Sequence, residues 1–428
     1  MNNSTNSTSK SALLARLGPG LITGAADDDP SGIATYSQAG AQFGFGMIWT
    51  LLLTTPLMIG IQMLSARIGW VTGEGLAANI NKLCPRWLTV SLVSLLVVAN
   101  TINIAADIGA MAEAIRMLIG GSHALYILAF GFLCVASQVL FSYERIVRIL
   151  KWLTLGLFAY VAVILTVSVP WKRAIAESLQ PWAFTHPSIT LSSYAAMVVA
   201  VLGTTISPYL FFWQAAQEVE DGYRRPNAVA LKANPEYTAE HLSRIKADTS
   251  IGMGFSNVIA LCIMLATAVT LNMNGITEIQ TASQAALALK PVAGDFAFAL
   301  FALGIIGTGL LAVPVLAGSA AYAVSEISGW KSGFSNSFKQ AKGFYLIIAM
   351  ATGLGSLMSL FELDPIKALI WSAVVNGVIS VPIMVVMMLI GQSKNIMGSL
   401  TISLRHRFFG WAATAVMAIA VLLMFFTF

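Results

Sequence analysis

Residues 24–32 read Gly24-Ala25-Ala26-Asp27-Asp28-Asp29-Pro30-Ser31-Gly32, three consecutive carboxylates followed by a helix breaker. They interrupt a stretch, about 19–38, that is otherwise apolar enough to cross a bilayer. At the centre of a membrane helix each carboxylate costs about 2.5–3.5 kcal/mol even on the lenient insertion scale. Three together need a compensating partner, and a divalent cation is one. Neighbours on a helix point about 100° apart, so all three could face one ion only where the backbone unwinds. Pro30 removes an amide donor and Gly32 tolerates unwound geometry, so the sequence permits that break. A second interruption, Gly203-Thr204-Thr205-Ile206-Ser207-Pro208-Tyr209, sits inside an apolar stretch at about 190–215. Unwound backbone at membrane depth persists only where it lines a cavity or is buried in protein.

The rest of the chain places these two breaks in a frame. Of 428 residues, 57% are hydrophobic and only 10% are charged, against about 25% charged in soluble domains. A soluble enzyme, a disordered regulator and a nucleic-acid binder are excluded on that ground. Cys84, Cys134 and Cys262 are far apart and form no CxxC pair, so neither a disulfide framework nor a zinc knuckle is indicated. At roughly 20 apolar residues per helix, the chain holds eleven spans, at about 19–38, 46–68, 88–117, 124–142, 152–170, 190–215, 250–272, 293–325, 343–361, 365–391 and 409–428. No run has the ten-residue alternation of a membrane β-barrel. Residues 1–15, rich in Asn, Ser and Thr, lack a signal-peptide layout and read as a short disordered tail ahead of one transmembrane domain, 16–428.

With the N-terminus inside, all of the 24 basic residues except Arg116, Lys172, Arg173, Lys290 and Lys367 fall on one side. Positive charge is retained in the cytoplasm, so the expected topology is N-in and C-out. The net charge of +5 is then a topological signal and not a nucleic-acid footprint. The hydrophilic stretch 217–247, with Glu218, Glu220 and Asp221 among basic residues, reads as a solvated cytoplasmic loop with some helix. Trp49, Trp70, Trp152 and Trp171 read as interface anchors, and His123, His186, His241 and His406 as surface residues near span ends. The two breaks fall in spans one and six, corresponding places in two five-span halves. That is the pattern of an inverted-repeat transporter with a midplane site.

At these residues the chain resembles a known family. Gly18-Pro19-Gly20, Asp29-Pro30-Ser31-Gly32 and Gln38-Ala39-Gly40-Ala41-Gln42-Phe43-Gly44 are similar to the first helix of the NRAMP divalent-metal transporters. Further likeness lies in Gln62 to Gly69, Thr72 to Ala77, Asn103 to Asp107 and Leu303 to Gly309. The resemblance implies an all-α polytopic membrane protein of LeuT-like fold. Its two inverted five-helix repeats, about 19–170 and 190–391, would be followed by an eleventh helix at about 409–428. It also implies the cell's inner (plasma) membrane, transported metal in place of any cofactor, and no obligate protein partner beyond the lipid bilayer.

The departures from the family pattern bear on the cargo. Its first-helix Asp and Asn, which coordinate metal, correspond to Asp29 and Gly32. Its sixth-helix carbonyl and Met thioether correspond to Thr204 and Ser207. Losing the soft ligand and gaining Asp27 and Asp28 resembles the NRAMP-related magnesium transporters, because carboxylate, hydroxyl, carbonyl and water suit Mg²⁺ and Mn²⁺. Asp29 is expected as central ligand, with Asp28, Thr204 and Ser207 around it. Gly32 could offer a carbonyl, Asp27 could draw ions in at the vestibule, and Asn376 is a candidate lining residue. Asn376 and Gln214 read equally well as interhelical hydrogen-bond partners. The family's third-helix Glu, sixth-helix histidines and ninth-helix arginines correspond to Ala110, to Tyr209 and Gln214, and to a span without Arg or Lys, so uncoupled uptake is expected. The alternatives are a proton-coupled Mn²⁺/Fe²⁺ symporter and an amino-acid carrier, whose substrate carboxylate the aspartates would repel. Neither GxxxxGK[ST] nor HExxH occurs, against an ATP-driven pump or an intramembrane metalloprotease.

Overall fold

The computed structural model describes residues 19–140, 156–180, 189–224, 238–361 and 364–427. Among them there is no strand. The first span is two helices, α1 (Pro19–Asp27) and α2 (Pro30–Phe43), parted at the aspartates. A short turn, Gly44–Met47, leads into α3 (Ile48–Thr72). A short helix, α4 (Leu76–Leu83), then precedes α5 (Arg86–Ile119) and α6 (His123–Leu140). The sixth span is also two helices, α7 (Leu191–Thr205) and α8 (Pro208–Arg224). The remaining long helices are α9 (Thr238–Thr270), α10 (Ala297–Ser328), α11 (Lys342–Ser359), α12 (Pro365–Gln392) and α13 (Leu404–Thr427).

Among the described residues nine helical runs are long and apolar enough to cross a membrane, or ten if one bent pair counts as a span. One of those runs, Pro30–Thr72, holds two expected spans on either side of the Gly44–Met47 turn, which restores the count of eleven. The bent pair is the fifth span. Helix Phe158–Thr166 ends before Pro170, and the chain turns by 120° into Trp171–Ser178, so the expected 152–170 stops short at its C-terminal end. The tail 1–15, Trp152 and His186 lie outside the described residues.

The long helices pair reciprocally. The first broken span, α1 and α2, packs on α9, the seventh span; the sixth, α7 and α8, packs on α3, the second. The third and eighth spans, α5 and α10, pack on each other. Exchanging the five-helix halves leaves this pairing unchanged, as two intertwined repeats require. Close approach is achieved with glycine. A Cβ on Gly24 of α1 would lie 2.2 Å from Gly252 O of α9, and one on Gly203 of α7 would lie 2.1 Å from Ala373 O of α12. Small residues permit such backbone contact where lipid gives no hydrophobic drive to association.

The stretch 217–247 is not a solvated loop at its ends. Helix α8 runs on to Arg224, and α9 begins at Thr238 and not near residue 250. Glu218 is wholly buried and accepts a 2.5 Å hydrogen bond from Arg244, itself 8% exposed. Arg244 also lies 4.9 Å from the ring of Trp70, and His241 stacks on Trp70 at 4.7 Å. Trp70 is therefore a core residue holding a guanidinium and not an interface anchor, and His241 is half-buried against it. Trp171 is exposed, while the Trp49 indole donates to the Tyr194 hydroxyl.

Candidate metal centre

The break in the first span is held open by its own residues. Asp29 is extended (φ −71°, ψ 170°) and caps α2, its Oδ1 accepting from Gly32 N at 2.7 Å. Pro30 follows at the first helical position, where its missing N–H costs nothing. The other carboxylate oxygen, Oδ2, faces away from the cap. Asn103 Nδ2 of α5 lies 3.4 Å from it and the Tyr209 hydroxyl of α8 lies 3.3 Å from it. Tyr209 is also 3.1 Å from Ala26 O at the end of α1, so one phenol touches both sides of the break.

The three aspartates do not converge. Asp27 and Asp28 share a hydroxyl on α9: Ser256 Oγ lies 2.6 Å from Asp27 Oδ2 and 3.0 Å from Asp28 Oδ1. Asp29 alone turns to α5 and α8. All three are at most 2% exposed, and among the described residues no three His, Cys, Asp or Glu side chains come together in a metal-holding group. Asp27, expected near the vestibule, is instead buried beside Ser256.

The sixth-span break meets the first at Gly32. A Cβ there would lie 3.1 Å from Thr204 Oγ1 and 3.3 Å from Asp27 O, so glycine is what lets the two interruptions touch. Ser207 is turned back on its own helix, donating toward Gly203 O at 2.8 Å and Thr204 O at 2.9 Å, which leaves its lone pairs free to accept or ligate. The freed carbonyl of Ile206 is taken by Ser380 Oγ of α12 at 2.7 Å. Asn376, one turn before Ser380, is buried with Oδ1 lacking a partner. Gln214 is structural: it accepts from Gln62 at 2.6 Å and donates to Thr249 at 2.8 Å. Sequence reasoning missed Ser256, Ser380 and Asp248, whose carboxylate accepts from Gly20 N at 2.7 Å and Leu21 N at 3.1 Å. Asp248 sits at the polar edge ahead of the seventh apolar run, among Arg244, Lys246, Thr249 and Ser250, so nothing in the sequence singled it out. Single serines carry no signal either.

A cavity of about 470 Å³ opens at the end of the bundle that carries His123. Ile33, Ala34 and Ser37 of α2, Ala110 and Glu113 of α5, and Asp364 line it. Ile33 is one turn beyond Asp29, so the cavity floor adjoins the centre. His123, half-buried, lies on its wall, and Glu113 pairs with Arg116 at 2.7 Å.

An all-helical, multi-pass membrane protein with two interlocked five-helix halves and unwound, carboxylate-bearing backbone where they meet is a transporter of LeuT-like fold. The chain matches the family described as natural resistance-associated macrophage protein-like (Nramp) over residues 20–427, and it belongs to that family. It is accordingly a divalent-metal transporter and not an enzyme, with metal as cargo and no resident cofactor. It is 25% identical over 427 residues to the divalent metal cation transporter MntH of Klebsiella pneumoniae, covering 97% of this chain and 94% of that one. Against MntH of Pectobacterium carotovorum it is 28% identical over 320 residues, covering 72% and 71%. Its fold matches the crystal structure of a manganese transporter of Eremococcus coleocola with a TM-score of 0.74 at 18% identity, covering 99% and 87%.

Proposed function

We propose that the chain imports Mg²⁺ and Mn²⁺ across an inner (plasma) membrane, through a midplane site between its two broken helices, without proton coupling. The observation that carries the reading is the donor set at the breaks. Asp29 presents a carboxylate oxygen toward α5 and α8, and hydroxyls stand at Thr204 and Ser207 where a thioether would select softer metals. Asp29 is the central ligand, with Thr204, Ser207 and Asn376 around it, and Gly32 contributes room more than a donor. Asp28 and Asp27, held by Ser256, add negative charge on the α9 side. Mg²⁺ dehydrates reluctantly and keeps several waters, which suits a few well-separated oxygens better than a tight cage.

The distribution of basic residues supports a cytoplasmic N-terminus, a C-terminus outside, and hence a cavity at the His123 end that faces outward. Repeats at about 19–170 and 190–391, with an extra helix after them, fit the reciprocal packing. The test is flux into liposomes with each divalent cation in turn. Saturable Mn²⁺ uptake that Mg²⁺ inhibits is the expected result. Mn²⁺ uptake indifferent to excess Mg²⁺ would return the chain to the second reading, a Mn²⁺/Fe²⁺ symporter.

A further inference from the structure

The third span carries polar groups that the fold leaves unused. Asn103 and Asp107 are one turn apart on α5, so they share a face, and both are 0% exposed. Asp107 has no side-chain hydrogen-bond partner and only the Ser31 backbone beside it, and Asn103 Oδ1 makes no hydrogen bond. Most buried side-chain polar atoms find a partner, so unsatisfied oxygens at Asn103 and Asp107 on one helix face call for one. Their neighbours identify its place. Asn103 Nδ2 is 3.4 Å from Asp29 Oδ2, and the Ser31 backbone lies beside Asp107. Asn100, three residues earlier, has an unpaired Oδ1 too, but its amide bonds to Leu316 O at 2.8 Å and Ser319 Oγ at 2.7 Å and ties α5 to α10, whereas that of Asn103 reaches Asp29.

We infer that Asn103 is a ligand of the transported ion and that Asp107 accepts hydrogen bonds from the waters the ion retains, so that α5 completes the centre begun by Asp29. The inference rests on the proposed metal site. In an octahedral Mg²⁺ shell with bonds of about 2.1 Å, adjacent ligand atoms are roughly 3.0 Å apart. A carboxamide already 3.4 Å from Asp29 Oδ2 needs only a small approach. A carboxamide flip, which exchanges atoms of nearly equal size, then presents Oδ1 in place of Nδ2. Asp107 sits between Asn103 and Ala110, the residue that lines the outer cavity on the same helix, and thus stands where a hydrated ion would pass. Alanine at 110 leaves space for water there.

Isothermal titration of the purified full chain in nanodiscs with Mn²⁺ and then Mg²⁺ tests this, with unfolding midpoints recorded for each variant. Asn103→Leu, similar in size but without oxygen, should weaken binding by about 10–100-fold, the range seen when a metal-supporting group is removed. Asp107→Asn should weaken Mg²⁺ more than Mn²⁺. The exchange Asp29→Asn with Asn103→Asp moves the carboxylate from one helix to the other and should recover much of the binding that Asp29→Asn alone has lost. It also decides the matter if the leucine variant unfolds. Loss in Asp29→Asn, with parental affinity in Asn103→Leu and no recovery in the exchange, would overturn the role of α5 while leaving the Asp29 site standing. Parental binding by Asp29→Asn itself would overturn both.

Discussion

Asp29 does two separable jobs with its two oxygens. Oδ1 caps α2 through Gly32 N, and Oδ2 faces Asn103 and Tyr209. Asparagine caps a helix about as well as aspartate, whereas alanine forfeits about 0.5–2 kcal/mol. Asp29→Asn should therefore abolish metal uptake in liposomes at an unchanged unfolding midpoint, and Asp29→Ala should abolish it with the midpoint lowered. Normal uptake by correctly inserted Asp29→Asn would remove Asp29 from the ligand set. At the sixth-span break, Ser207→Met supplies a thioether and should shift competition toward Mn²⁺ and Cd²⁺ over Mg²⁺. The single change is cleaner than pairing it with Gly32→Asn, because a side chain at Gly32 meets Thr204 Oγ1. Undiminished Mg²⁺ competition would show that cavity hydration, and not Ser207, sets selectivity. The aspartates were legible because charge in an apolar run has a known cost. Their division between Ser256 and Asn103 was not, since it depends on which helices surround the break.

At the scale of elements, hydropathy located the spans and proline marked both interruptions, but the polar ends of α8 and α9 read as loop. Glu218 and Arg244 look solvated in sequence because their compensation is mutual and 26 residues apart. Once they pair and Trp70 covers the guanidinium, helix can extend over residues that no apolar window would include. Removing one partner leaves the other charge buried, which typically costs about 3–5 kcal/mol, while replacing both with apolar residues of similar size costs far less. Arg244→Gln should thus lower the unfolding midpoint in detergent sharply, and Arg244→Met with Glu218→Leu should lie nearer the parent. A double variant worse than the single would show that the pair stabilises in its own right. The 120° turn after Thr166 was equally hidden, because the apolar run reaches Val169 although the helix ends at Thr166, and the charged helix Trp171–Ser178 then turns away from its axis.

For the whole molecule, the question is what drives the ion. Tyr209 hydrogen-bonds Asp29 and Ala26 O, and Gln214 is engaged by Gln62 and Thr249, so on α8 both residues serve as structural donors. No Lys or Arg occurs from Gly343 to Phe361. Coupling is not required energetically: a divalent ion moving inward gains about 4.6 kcal/mol per 100 mV, enough for roughly a 10³-fold gradient. Liposomes loaded with a pH dye and energised with potassium and valinomycin should take up Mg²⁺ or Mn²⁺ without acidifying. Acidification in fixed proportion to metal flux would establish symport.

The seam between α1 and α9 has a consequence for how such a machine can be fast. Gly20, Gly24 and Gly252 meet backbone to backbone, so no side chain there is frozen when the faces join or released when they part. Along such a bare seam, polar fasteners supply the directional contacts. Asp248 on the Gly20 and Leu21 amides is one, and Ser256 on Asp27 and Asp28 is the other. The second fastener grips the very loop that carries Asp29. A cation binding at Asp29 would act on the same loop that this contact holds, and a change of about 1.4 kcal/mol there is tenfold in how often the contact is made.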